Sequence, residues 1–207
     1  MTEPLSDDVF PVQVEQTDVV FTGRVWNIRR DTFEYGDASI TREYMDHTGA
    51  VAILAIDEHD RVLLIKQYRH PIGSRDWEIP AGLLDIDGEG PLAAAKRELA
   101  EEVDLVASDW KLLCDFASSP GGSNEVIRVY LARGLKATKE AFARGEEEAD
   151  IENRWVDLDE VVTAVLNRSL GNSILSIAAL AAHASRARGW TSLGDAESPW
   201  TRHPKLR

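Results

Sequence analysis

The chain has 207 residues, with 23 Lys and Arg against 36 Asp and Glu, giving a net charge of −13. That balance argues against a nucleic-acid surface or an anionic membrane as partner, and no apolar run approaches the roughly 18 residues of a membrane span. The single cysteine, Cys114, excludes an intrachain disulfide; in the apolar run WKLLCDF it is expected as a buried structural thiol and not a nucleophile.

In chain order, residues 1–11 read as an acidic lead-in without a signal-peptide core, and a soluble, cytoplasmic protein is expected. VQVEQTDVVF (12–21), RVWNIRRDTFEY (24–35) and SITREYMDH (39–47) alternate in strand fashion, with Gly23 and Gly36–Asp37 as turn residues. They predict a small antiparallel unit of about three strands. AVAILAI (50–56), the turn DEHD and RVLLIKQYRH (61–70) predict a hairpin in a buried sheet, and WEIPAG (77–82) leads into a glycine-rich loop.

Pro91–Val103 contains no helix breaker after its first residue, and Leu92, Ala95, Leu99 and Val103 form an apolar stripe at helical spacing. WKLLCDFA (110–117), the loop SSPGGSNE (118–125), the strand VIRVYLAR (126–133), an acid-rich segment and the strand ENRWVDL (152–158) follow. Two helices close the pattern, the second capped by Asn172 or Ser173. The tail from Gly189 loses periodicity and is expected to be extended or disordered. The pattern predicts an α/β/α sandwich around a mixed sheet, with boundaries at 1–47 for the N-terminal β unit, 48–188 for the main domain and 189–207 for the tail.

The carboxylates on the helix are poorly placed for stability alone. Glu98 and Glu102 are like charges at i,i+4, which costs an isolated helix roughly 0.2–0.5 kcal/mol. They also lie in its last two turns, where the dipole disfavours each anion by about 0.3–1 kcal/mol. A divalent cation reverses both penalties, and hard oxygen ligands shared with substrate phosphates suit Mg²⁺. A solvated acidic face is the alternative reading.

The spacing decides between them. Gly82, Glu89, Arg97, Glu98, Leu99, Glu101, Glu102, Asp104 and Leu105 closely resemble the Nudix box, G-x5-E-x7-R-E-U-x-E-E-x-G-U, where U is a bulky aliphatic. Two departures are visible: six residues separate Gly82 from Glu89, and Asp104 stands where the family has Gly. A loop insertion is tolerable because closure depends weakly on length. Asp is among the few side chains that visit the left-handed conformation this Gly supplies.

The resemblance implies a Nudix-type fold and a set of roles. Glu98 and Glu102 would be the main Mg²⁺ ligands, with Glu101 and the Ala81 carbonyl adding oxygens for two or three ions, and Mn²⁺ is a possible substitute. Arg97 would orient Glu101 or its neighbours, and Glu89 would position the loop. In the ADP-ribose pyrophosphatase branch, which the chain resembles, a glutamate on a loop after the box deprotonates water. The GEEEADI stretch offers Glu147, with Glu148 as its rival. SSPGGSNE is similar to that branch's SPG-[FY]-x-[DN]-E loop, with Pro120 and Glu125 retained and Gly122 replacing the aromatic.

Arg69 is expected to grip the diphosphate, and Arg42 and Glu43 match family positions near adenine and diphosphate. Trp26 and Phe33 are candidates to stack on adenine or are core residues. Glu78 either faces the pocket or pairs with an Arg. The N-terminal unit implies a homodimer in this branch. The expected activity is Mg²⁺-dependent hydrolysis of ADP-ribose to AMP and ribose 5-phosphate. Alternatives are a pyrophosphatase for another nucleoside-diphosphate sugar or dinucleotide, and a non-catalytic Nudix-fold ADP-ribose sensor.

Overall fold

The computed structural model describes residues 5–139, 142 and 150–206. Two compact units divide the chain: Met1–His47, Ser119–Glu125 and Trp200–Arg207 form the first, Thr48–Ser118 and Val126–Pro199 the second. Among the described residues no helix is long and apolar enough to cross a membrane.

In the first unit, β1 (Val14–Thr22), β2 (Asn27–Tyr35) and β3 (Ala38–Asp46) form an antiparallel sheet in that order. This is the three-stranded unit that the alternation over 12–47 predicts. Every residue of β1 is exposed, including Val14, Val19, Val20 and Phe21. The 119–125 loop is sewn to the end of β3. Met45 N–H donates to the Gly122 carbonyl at 2.9 Å, and Asn124 N–H donates to the Met45 carbonyl at 3.3 Å. The Asn124 side chain accepts from His47 N–H at 2.7 Å and donates to Asp46 at 2.9 Å.

The second unit is built on β4 (Ala50–Ala55), which runs parallel to β9 (Val126–Ala137) and antiparallel to β7 (Ala81–Leu83). β8 (Leu105–Ala117) and the two-residue β11 (Gly194–Asp195) complete a mixed sheet in the order β11-β8-β9-β4-β7. β5 (Arg61–Arg69), β6 (Ser74–Glu78) and β10 (Glu152–Asp157) make a second sheet, ordered β10-β5-β6.

Every residue of β4 is buried because each face of the strand has its own core. Ala50, Ala52 and Leu54 pack with α2 (Leu158–Leu166) and α3 (Ser173–Arg186), whereas Val51, Ile53 and Ala55 pack with α1 (Pro91–Val103). A strand covered on both faces needs the continuous apolar run that AVAILAI supplies. Helices on both faces give the α/β/α sandwich read from the sequence.

Two local expectations are corrected. Residues 50–56 and 61–70 do not form a hairpin ladder. The two edges of β4 are taken by β7 and β9, β5 pairs with β6 and β10, and an isolated bridge, Ile56↔Val62, joins the two segments. WEIPAG divides between β6 and β7 at Ile79–Pro80, since proline has no N–H for a ladder; its carbonyl instead accepts from Ile53 N–H at 2.8 Å.

The tail after Gly189 is neither fully extended nor disordered over its described residues. β11 pairs with Lys111 and Leu112, Ala196 is buried, and the Ser198 carbonyl accepts from Arg128 at 2.7 Å. Arg128, 2% exposed, is also held by both oxygens of Asp115 at 2.8 Å. A buried guanidinium must find acceptors for its donors, and the tail supplies one. Further along, in the first unit, Trp200 packs edge-on against the buried His203, with ring centroids 4.7 Å apart.

Candidate active site

α1 carries the site because its two long faces do different work. Leu92, Ala95, Leu99 and Val103 are all buried, as their spacing predicts. Gly90 precedes the helix and Pro91 opens it, its missing N–H costing nothing at that position. Asp104 ends it at φ 55° and ψ 37°, its N–H donating to the Ala100 carbonyl at 3.0 Å. Asp104 therefore makes the left-handed termination a glycine would make, and its side chain accepts from Phe142 N–H at 2.8 Å.

The other face presents Glu98, Glu101 and Glu102. Glu102 is 7% exposed and accepts from Ala81 N–H at 3.0 Å. Glu98 lies against β7 at Gly82, where an added Cβ would overlap its carboxylate. Any larger residue there must displace the Glu98 carboxylate, a constraint independent of φ.

Arg97 binds three carboxylates. It donates through Nε and Nη2 to Glu89 at 3.0 and 2.9 Å, and through Nη1 to Glu98 at 2.6 Å and Glu101 at 3.1 Å. The bonds to Glu89 are the first cause of the raised Arg97 pKa, and they hold the Glu89 carboxyl below its usual range. Glu98 goes the other way. The contact with Arg97 lowers its pKa, but burial raises it more, and Glu101 and Asp85 repel its charged form. Burial dominates because the carboxylate is packed beneath a backbone strand. Asp85 was not singled out from the sequence, although its place in the box loop, three residues beyond Gly82, was the available signal.

Among the described residues, no three His, Cys, Asp or Glu side chains are grouped so as to hold a metal ion; Arg97 spans Glu98 and Glu101. The donor set nevertheless fits a hard dication. Glu98 is an anion short of solvation, faces the hollow at Gly82, and shares its helix face with Glu101 and Glu102.

Elsewhere in the second unit, Arg69 at the end of β5 donates to both oxygens of Glu78, at 2.8 and 2.7 Å, and Gln67 adds a bond at 3.3 Å. Glu78 is 2% exposed. Of its two expected roles, pairing with an Arg is the one the geometry realises, and the pair fixes the plane of the guanidinium. The Cys114 thiol packs against the core, and burial pushes its pKa up to about 11, which suits a structural thiol.

The first unit brings Trp26 and Glu125 together through a residue the sequence reading missed. His47 stacks on Trp26, with centroids 4.1 Å apart and planes 19° from parallel, and its Nε2 lies 3.1 Å from Glu125. No local signal could have revealed His47, because Glu125 comes from a distant loop. Phe33 is half-buried on β2 opposite Ile40, and Pro120 is exposed. Arg42 donates to the Thr41 carbonyl at 2.8 Å, and Glu43 pairs with Arg30 at 2.8 Å; both are exposed. Glu147 and Glu148 lie outside the described residues.

Burial holds the His47 pKa below its ordinary 6.5, outweighing the upward pull of Glu125 and Asp46, while Lys205 pushes it down further. The unfolded chain therefore takes up a proton that the folded chain resists. The contribution is present above about pH 6.5 and is lost as pH falls towards the folded value. Melting temperatures measured from about pH 5 to 8 are expected to show this acid limb, and His47→Gln should flatten it.

The NUDIX domain family model matches residues 46–174. The chain is 44% identical over 169 residues to the ADP-ribose pyrophosphatase of Mycobacterium tuberculosis, covering 81% of each chain. It is 33% identical over 152 residues to the ADP-ribose pyrophosphatase of Bacillus subtilis, covering 73% of this chain and 81% of that one. A methanol dehydrogenase activator of Bacillus methanolicus is 34% identical over 171 residues, covering 82% of this chain and 91% of that one. A crystal structure of an ADP compounds hydrolase superposes with a TM-score of 0.72 at 19% identity, covering 89% of this chain and 99% of that one, a likeness of fold. A box read from spacing, a helix that presents its acids against Gly82, and a family match over most of the sandwich agree: the chain belongs to the Nudix family.

Proposed function

We propose that the protein is a Mg²⁺-dependent pyrophosphohydrolase that splits ADP-ribose into AMP and ribose 5-phosphate. The observation that carries this reading is the set Glu98, Glu101 and Glu102 on one helix face, with Gly82 leaving room for Glu98 and Arg97 restraining two of the three. Relatives named ADP-ribose pyrophosphatase support the choice of substrate. Glu98 and Glu102, with Glu101 and the Ala81 carbonyl, would hold two or three Mg²⁺, or Mn²⁺ in their place. Bound there, such ions neutralise the diphosphate and polarise its P–O bonds.

This chain's own groups do the rest. Water attacks phosphorus, one P–O bond of the diphosphate breaks, and the proton of the water passes to Glu147, with Glu148 as its rival. Arg69 binds the diphosphate in the orientation Glu78 gives it. Trp26, Phe33, Arg42, Glu43, Pro120 and Glu125 contact the nucleoside and ribose portions. The exposed apolar residues of β1 support a homodimer formed through the N-terminal unit, to be checked by light scattering. The single unpaired cysteine and the net charge of −13 fit a cytoplasmic location.

The deciding experiment is turnover on ADP-ribose, ADP-glucose, GDP-mannose, NADH, diadenosine polyphosphates and a nucleoside triphosphate, each with Mg²⁺ or EDTA. Preference for ADP-ribose is expected. Preference for another diphosphate keeps the chemistry and changes the pocket, whereas binding of ADP-ribose without cleavage makes the protein a sensor. Glu147→Gln is expected to cut kcat about 100-fold, the scale of general base catalysis; a near-normal rate, with Glu148→Gln inactive, moves the role by one residue. Glu78→Gln is expected to raise KM roughly tenfold with kcat little changed, since it loosens one charge-assisted pair that orients Arg69.

A further inference from the structure

A cavity of about 810 Å³ in the second unit contains none of Gly82, Glu89, Arg97, Glu98, Glu101 or Glu102. It lies where the end of β4, the turn before β5, the start of β8 and the end of β9 meet Trp155 and Trp190. The two tryptophans belong to opposite cores. Trp155 packs with the α1 side of the sheet and Trp190 with the α2–α3 side, and each keeps part of its ring at the surface.

The charges of the lining are not equally available. Asp57 is taken by Arg61 at 2.7 Å and by two backbone N–H groups, and Asp60 lies 3.4 Å from Arg186. Arg133 and Lys136 have no carboxylate partner among the described residues. The Arg133 guanidinium instead lies 4.1 Å above the Trp190 ring, an arrangement that covers one face and leaves its edge donors for another acceptor.

The backbone on both sides of this stack is unusual. Gly134 has φ +64°, where a Cβ would overlap the Ser108 hydroxyl. Trp190 itself has φ +63°, a conformation a bulky side chain rarely adopts, and its N–H donates to the Ser185 carbonyl at 2.8 Å. Such positions persist where the surroundings over-determine them, and they gather at ligand clamps.

We propose that this cavity is a second ligand site, for a nucleoside monophosphate. Two cations without carboxylate partners among the described residues match a dianionic phosphate, the part-exposed Trp155 indole offers a platform to a planar base, and the volume lies within the range of small-molecule sites. The proposal goes beyond the hydrolase reading and does not depend on it, because it requires neither metal nor turnover.

The test is photolabelling of the full chain with 8-azido-AMP in EDTA, followed by mapping of tryptic peptides. Label is expected on peptides carrying Trp155 or Trp190, displaced by AMP but not by adenosine. Arg133→Glu and Lys136→Glu are each expected to weaken labelling about tenfold, as loss of a charge-assisted bond would. The exposed Lys136 keeps the test readable if Arg133→Glu disturbs the fold. No labelling, label confined to other peptides, displacement by adenosine as effective as by AMP, or undiminished labelling of a folded charge-reversed variant would each overturn the proposal.

Discussion

Glu98→Gln is expected to lower turnover of ADP-ribose roughly 10³-fold at saturating Mg²⁺, because a bound dication supplies several kcal/mol of charge stabilisation and each 1.36 kcal/mol is about tenfold. The same substitution should make the metal-free protein more stable. Glu98 is a half-buried anion whose desolvation is not fully offset by its 2.6 Å contact with Arg97. Glutamine keeps the shape, still accepts from Arg97 and removes the charge. For a chain of this size, each 1 kcal/mol gained raises the melting temperature by about 2–4 °C. Calorimetry in EDTA checks that gain, and a Mg²⁺ titration should shift the wild-type transition more than the variant's. An inactive variant that is also destabilised in EDTA would make Glu98 a structural residue.

Gly82→Ala is expected to cost about 100-fold in kcat, the scale on which a displacement of about 1 Å disables a site. The added Cβ overlaps the Glu98 carboxylate, so either the side chain leaves its place or β7 moves away from α1. Overpacking of this kind also lowers stability by roughly 1–3 kcal/mol. Gly88→Ala is the matched control. Gly88 has φ +79° and open space around its Cβ position, so its substitution strains only the backbone. Near-normal turnover in Gly88→Ala beside a crippled Gly82→Ala would identify space at Glu98 as the cause. Equal loss in both would shift the explanation to the box loop as a whole.

Some of this was legible in the residues because the signal was local. The stripe of Leu92, Ala95, Leu99 and Val103 and the opening Pro91 define a helix whose bounds coincide with those found, and Asp104 ends it in the left-handed conformation its chemistry permits. The three-stranded unit was equally local, since alternation and a turn are properties of neighbouring residues. Which strands pair was not local. β4 reads as one arm of a hairpin until β9, more than 70 residues later, takes the edge that β5 would have used. The tail carries no periodicity, yet it is held in place by a bond from the Arg128 guanidinium to the Ser198 carbonyl and a pairing with β8.

The site divides in the same way. By itself the sequence determined the helix, its acids and their spacing, because side chains three and four apart on a helix must share a face. Tertiary structure decided which of those acids is starved of water, which arginine each partner holds, and that His47 joins Trp26 to Glu125. Burial and long-range pairing depend on what the rest of the chain packs against a residue, and no window of sequence contains that information.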